Sequence, residues 1–267
     1  MQFRTIVQID EPTFSIPPFE RMLFVGSCFA DNIGKRFVDE KFNAVVNPYG
    51  VMYNPASILH TVKRTDVQPN VAVFTLGTNR VYILKETNEI VDNCQKRPQC
   101  LFREDKLTIE QCTNYLAQAV ESLLKRNEGL RVIVTVSPIR YAKYGYHGSQ
   151  LSKATLLLAA QALVQRYPSV VTYFPAYEII NDELRDYRFY KEDMLHPSNQ
   201  AVSYIWERFA DTFFSEQAKI FIQEWQPIKA AFTHRPFHPE SATYQEFMLK
   251  TQQKIKELEQ KWGVKLQ

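Results

Sequence analysis

Glycine is scarce in this chain, with 8 residues in 267, while phenylalanine (18) and tyrosine (14) are plentiful. That balance excludes collagen-like and flexible-linker readings. Long apolar runs are missing as well: none approaches the ~18 residues that a membrane-spanning helix needs. Cysteine is sparse, and Cys28, Cys94, Cys100 and Cys112 make no disulfide framework at this length. Cys94 and Cys100 enclose CQKRPQC with five residues between them, whereas paired zinc thiolates are usually about two to four apart. All four are read as reduced thiols, mostly packing residues. Neither sign of charge dominates, since 32 basic and 29 acidic residues leave a net +3. With no basic stripe interleaved with aromatics, no nucleic-acid partner is expected. The opening MQFRTIVQIDEPTF carries acids early and lacks an unbroken apolar stretch. It does not read as a secretory signal, so a cytoplasmic location and no membrane partner are expected.

What is present is ordinary for a soluble globular protein: 45% hydrophobic and 23% charged residues. A chain this long can bury a core without disulfides or metal. RMLFV (21–25) reads as a buried strand ending at Gly26, and Phe29, Ile33 and Phe37 at spacing four predict a helix after it. NAVV (43–46) is a second strand, stopped by Asn47-Pro48-Tyr49-Gly50. Asn54-Pro55 opens a short helix through Ile58 and Val62, and VAVFTL (71–76) is a third buried strand ending at Gly77. VYILK and EIV (81–85, 89–91) look like an appended hairpin. A helix follows from about Thr108 to Arg126, with Ile109, Cys112, Leu116, Ala119 and Leu123 on one face. LRVIVTV (130–136) is the strongest strand, a helix over 152–167 takes Ser152 as its N-cap, and VVTYF (170–174) is a fifth strand.

Strands alternating with helices predict an α/β fold, three layers deep, with a mostly parallel sheet covered on both faces. Its functional loops lie beyond the carboxyl ends of the strands. Past residue 211 only helix remains, and Tyr244, Phe247, Met248, Thr251, Ile255, Leu258 and Trp262 form a narrow apolar seam. The expected domains are 1–210, an α/β domain, and 211–267, a helical extension that packs on it. The seam fits that packing or a dimer contact, and leaves the oligomeric state open.

Two features carry chemistry. The first is the strand–Gly26-Ser27–helix junction, which holds a serine at the carboxyl edge of the sheet over a helix N-terminus. Ser is equally a preferred N-cap, which by itself accounts for it. The second is Asp193-Met194-Leu195-His196 on a loop entering a helix. A carboxylate three residues from an imidazole can orient a general base, although 29 acids among five histidines make such spacing common by chance. His234 and His238 flank Pro236 and do not share a helix face, so no metal pair is expected.

The string Gly26-Ser27-Cys28-Phe29-Ala30 resembles the motif that names the GSCFA family, a branch of the SGNH (GDSL-type) hydrolases. The resemblance runs on through NPYGVMYNP (47–55), TLGT (75–78), VSPIR (136–140), HGSQLSK (147–153), LRDYRFY (184–190), DMLHPS (193–198) and HRPF (234–237). It implies a flavodoxin-like, SGNH-type sheet and a serine esterase that needs no cofactor or metal. Ser27 takes the nucleophile position, His196 the base and Asp193 the carboxylate. The oxyanion hole implied by the family falls to the Ser27 amide, Gly50 after the second strand and Asn79 after the third, with Thr78 or Asn54 as substitutes. The sequence departs from the family pattern at Arg80, where an Asp is usual, and at the junction itself, where Ser follows Gly directly. Cys28 is therefore a rival nucleophile, since a helix N-terminus favours a thiolate, or a small packing residue. Arg140, His147 and Asn54 are candidate substrate contacts, with Lys153 and Arg188 weaker ones. Loop 139–151 is a candidate lid, and Tyr141, Tyr144 and Tyr146 could stack on sugar faces. The implied substrate is a small acyl ester, acetyl on a carbohydrate first, with acyl transfer or a degenerate binding protein as alternatives.

Overall fold

The computed structural model of the chain describes residues 4–92 and 97–266. They fall into two compact units, one formed by Phe19–Phe213 with the segment up to Ser15, the other by Ile16–Pro18 with Phe214–Gln267. In the larger unit the strands are β1 (Arg21–Gly26), β2 (Asn43–Val46), β3 (Val71–Leu76), β4 (Arg80–Leu84), β5 (Ile90–Val91), β6 (Phe102–Lys106), β7 (Arg131–Val136) and β8 (Val171–Tyr173). Five of them form one all-parallel sheet in the order β2-β1-β3-β7-β8. The other three form an antiparallel sheet, β5-β4-β6. The helices of this unit are α1 (Cys28–Asp39), α2 (Pro55–Arg64), α3 (Ile109–Leu124), α4 (Gly145–Arg166), the single turn α5 (Ala176–Glu178) running into a π-helical segment Ile179–Leu184, and α6 (Asn199–Phe213).

Side chains alternate across the parallel sheet. Leu23 and Val25 of β1 and Phe74 of β3 face the core shared with α2, α3 and α4, which includes Leu59, Leu116 and Leu156. Phe24 points to the opposite face, where its ring lies 4.9 Å from Phe37 of α1, and Phe37 in turn meets Phe209 of α6 at 5.6 Å. Buried rings of this kind dominate core energetics. The helices are placed by local chemistry as well. Asn54 caps α2, its Oδ1 accepting the Ser57 amide at 3.0 Å, with Pro55 in the first turn. Thr108 and Gln111 form a capping box at the start of α3.

This strand order is the flavodoxin-like one. The chain leaves β1 for β2 on one side and reaches β3 on the other, which makes the carboxyl ends of β1 and β3 a topological switch point, the place where such sheets bind ligands.

Several expectations need correction. Ser152 is not an N-cap: α4 begins seven residues earlier, at Gly145, and Ser152 is buried inside it. Loop 139–151 is therefore short, because a 3-10 turn at Ala142–Tyr144 runs straight into α4. The Tyr144 ring takes the Arg80 guanidinium at 4.0 Å, a tertiary contact that overrides the loop signals of Gly145 and Gly148. The appended hairpin has a third strand, β6, whose charged residues FREDK hide any alternation and which pairs along β4 from Leu84–Phe102 to Arg80–Lys106. Ile109 is exposed rather than on the buried face of α3, and Cys100 is exposed rather than packed. Cys94 lies outside the described residues.

The smaller unit holds α7 (Glu216–Thr233), capped by Ser215, and α8 (Ala242–Trp262), capped by Ser241 and ended by Gly263 at φ 65°. The two helices pack together: the Phe221 and Trp262 rings are 5.5 Å apart, and Glu224 accepts from the Trp262 indole at 2.9 Å and pairs with Lys261. Along the seam Thr251, Ile255 and Leu258 are buried, whereas Phe247 is exposed. No helix among the described residues is long and apolar enough to cross a membrane.

Candidate active site

The β1–α1 junction is built around Gly26, whose φ of 147° and position against β3 leave no room for a side chain: a Cβ there would collide with the Thr75 backbone and hydroxyl. Its amide donates to Asn47 Oδ1 at 2.9 Å, and Asn47 Nδ2 donates to Asp31 at 2.5 Å. Ser27 follows, fully buried. Its amide donates to Thr75 O (3.0 Å) and Thr75 Oγ1 (2.9 Å), its hydroxyl shares a hydrogen bond with Thr75 Oγ1 (3.1 Å), and the same Oγ accepts the Phe29 amide (3.2 Å). Ser27 is thus the N-cap of α1. Cys28 is the first residue of the helix and only half-buried, with Sγ 4.0 Å from the Tyr53 hydroxyl.

Two tyrosines close over this junction. The Tyr53 and Tyr141 rings meet edge-on at 6.3 Å. Burial, then the neighbouring Cys28 and Asp31, pushes the Tyr53 phenol up to about 12. Burial likewise raises Tyr141, with Cys28 the next largest influence. The Tyr141 hydroxyl is enclosed, has no hydrogen-bond partner among the described residues, and lies against Gly77, where a Cβ would run into it. Beneath Tyr141 sits Lys153, completely buried, its Nζ donating to the carbonyls of Gly77 (2.8 Å) and Ser137 (2.7 Å) and lying 5.1 Å from the Tyr141 ring centre. Lys153 ties the ends of β3 and β7 together, and burial lowers its pKa to about 7.

His196 and Asp193 face each other at 2.6 Å, Nδ1 to Oδ2. The other carboxylate oxygen accepts the amides of Leu195 (2.8 Å) and His196 (2.9 Å), and these bonds, with the imidazole, hold the Asp193 pKa near 2. A carboxylate only accepts, so Nδ1 carries the hydrogen of this bond. Met194 turns the loop at φ 57°, a conformation uncommon for a side-chain-bearing residue. Arg140, on the segment after β7, braces the loop: its amide donates to Leu195 O (3.0 Å) and its guanidinium to Met194 O (2.9 Å). Arg140 also lines a cleft of 240 Å3 with Gln150, Asn181, Tyr187 and Tyr190. Among the described residues no hydrogen bond joins His196 to Ser27 or Cys28, and no group of three His, Cys, Asp or Glu could hold a metal.

The sequence profile of the GSCFA family matches residues 21–69 and 60–209, and that of the GSCFA domain protein, C-terminal domain, matches 225–267. The chain belongs to the GSCFA family. No curated protein matches it significantly. Among solved structures it is similar to a protein described as a GDSL-like lipase from Parabacteroides merdae, at TM-score 0.51 and 12% identity over 75% of this chain and 98% of that one. A GDSL-like lipase from Bacteroides thetaiotaomicron (TM-score 0.47, 14% identity, 72% and 86% covered) and a mutant acetylxylan esterase from Geobacillus stearothermophilus (0.48, 12%, 76% and 98%) also match. At these identities the likeness is one of fold.

In this GSCFA chain several expected site residues have other employment. The Gly50 amide donates to Asn47 O at 2.8 Å within a turn, and Gly50 faces open space. Asn79 is buried, its Nδ2 donating to Leu107 O (2.8 Å) to fix the entry to α3. Thr78 shares a hydrogen bond with Ser152, and Asn54 is the α2 cap. The Gly50 amide and the Asn79 side chain therefore spend their donors within the fold, whereas Asn54 uses its Oδ1, an acceptor, for the cap. His147 is exposed on the first turn of α4, and Arg188 pairs with Asp186 at 3.3 Å. What the sequence reading missed is the enclosure of the junction by Tyr53 and Tyr141. Their only signal was position, since both stand on loops after sheet strands.

Proposed function

We propose that this chain hydrolyses a small acyl ester, with acetyl on a carbohydrate as the first substrate to try, through an acyl-enzyme. His196 takes a proton from a nucleophile at the β1–α1 junction, Ser27 or Cys28, and returns it to the leaving alcohol. Asp193 holds the imidazole in the working tautomer and stabilises the imidazolium. Water, activated by the same imidazole, then releases the acid. The scheme draws base, nucleophile and donors from side chains and uses no cofactor.

The observation that carries this reading is the Asp193–His196 pair, with both carboxylate oxygens bonded and, among the described residues, no hydrogen bond to Nε2. The GDSL-like fold supports it. The cleft that Arg140 shares with Tyr187, Tyr190, Gln150 and Asn181 supports a carbohydrate portion, because flat rings stack on sugar faces and side-chain amides bond hydroxyls. One observation favours a second reading, a binding protein on a hydrolase fold: the Gly50, Asn79 and Ser27 donors are all committed elsewhere. p-Nitrophenyl acetate turnover separates the two. His196→Ala is expected to lower the rate by about 10²–10⁴-fold. Equal rates in variant and wild type would leave the binding reading standing.

A further inference from the structure

We propose that Cys28, and not Ser27, is the nucleophile, and that the Tyr141 hydroxyl is the donor that meets the oxyanion. The inference rests on the esterase reading above and assigns its reacting atom. Four observations at the junction carry it. Ser27 is fully buried, and its hydroxyl is occupied by the Phe29 amide and Thr75 Oγ1. An Oγ in that setting caps a helix and has no open side for a carbonyl carbon to approach. Cys28, one residue on, is half-buried and is the first residue of α1, at the positive end of the helix dipole, while the Phe29 and Ala30 amides are taken up by Ser27. Sγ faces Tyr53 at 4.0 Å. The Tyr141 hydroxyl, enclosed and without a partner, closes the same junction. A buried hydroxyl with no acceptor costs free energy unless a ligand oxygen fills the gap, and the Gly50 and Asn79 donors are engaged elsewhere.

The step balances without an oxidant or reductant. The Cys28 proton passes to His196, sulfur bonds to the ester carbonyl carbon, and the carbonyl electrons move onto oxygen opposite Tyr141. Collapse breaks the carbon–oxygen bond, and the alcohol leaves with the His196 proton. The thioester left on Cys28 is then cleaved by water, which yields the acid and restores the thiol.

The experiment treats the full chain with p-nitrophenyl acetate, quenches in acid and maps acetylated peptides, beside turnover measurements. Cys100, exposed, is the internal control for simple thiol reactivity. The expected result is a hydroxylamine-labile acetyl group on Cys28, formed at least about tenfold faster than on Cys100 and slowed by about 10²-fold or more in His196→Ala. Turnover is lost in Cys28→Ala and retained in Ser27→Gly, a change that keeps a residue tolerated at an N-cap. Acetyl on Ser27, labelling of Cys28 no faster than of Cys100, or turnover that survives Cys28→Ala overturns the proposal. The esterase reading fails differently: Cys28 is acetylated rapidly but nitrophenol release stops at one equivalent.

Discussion

Replacing Lys153 with methionine tests whether a charged amine is held in the interior between β3 and β7. The side chain is completely buried, and burial takes its pKa from an ordinary 10.5 to about 7. Between those values the unfolded chain binds a proton that the folded chain does not, so stability rises with pH at up to about 1.4 kcal/mol per pH unit. The penalty is fully present below pH 7 and is relieved as pH climbs toward 10.5. Half-titration at the lower end trims the gain from pH 7 to 9 to roughly 2 kcal/mol. Other groups act in the same range. Cys112, raised to about 12 by burial, works in the opposite sense because its thiol ionises first in the unfolded chain. Subtracting Lys153→Met from wild type cancels these. The assay is urea unfolding at pH 7, 8 and 9 for both proteins, and the expected result is a wild-type-minus-variant difference that grows by roughly 2 kcal/mol across the series. The variant also leaves the Gly77 and Ser137 carbonyls without their donor, a pH-independent loss of about 1–3 kcal/mol per group. A difference that stays constant with pH would refute the reasoning and show that the amine reaches solvent.

Two further outcomes follow from the junction. Gly26→Ala is expected to cost about 2–5 kcal/mol, from overpacking against Thr75 together with a disfavoured φ, and thermal unfolding followed by circular dichroism should show a lower Tm; an unchanged Tm would mean that β1 and β3 are further apart. Tyr141→Phe removes a hydroxyl that has no partner in the free protein. Stability should hold or rise while p-nitrophenyl acetate turnover falls by about 10²-fold; a drop in stability with turnover intact would show that the hydroxyl serves the fold alone.

Much of the architecture was readable from local pattern. β1, β3 and β7 are runs of apolar residues too short for helices, and the Phe29, Ile33 and Phe37 spacing predicts the buried face of α1. Asn54-Pro55 and Thr108 announce their helices because a cap acts within three residues of itself. The Asp193–His196 pair was readable for the same reason, since its partners are three residues apart and share one loop. β6 and the true start of α4 were not. The charges of FREDK carry no alternation, and that strand exists because β4 lies beside it. Gly145 and Gly148 read as loop, and the turn before α4 is set by Arg80 and Tyr144, distant in sequence.

Sequence alone determined the parallel α/β layering, the strand-to-helix junction at Gly26-Ser27 and the pairing of Asp193 with His196, because each depends on periodicity or on neighbours within a few positions. The tertiary structure decided which of two adjacent residues, Ser27 or Cys28, is sealed against the sheet and which is left half-open. That choice hangs on Thr75, which lies 48 residues away and takes up the Ser27 amide and hydroxyl. A strand-to-helix turn sends consecutive side chains in different directions, and only the contact with β3 says which one points inward.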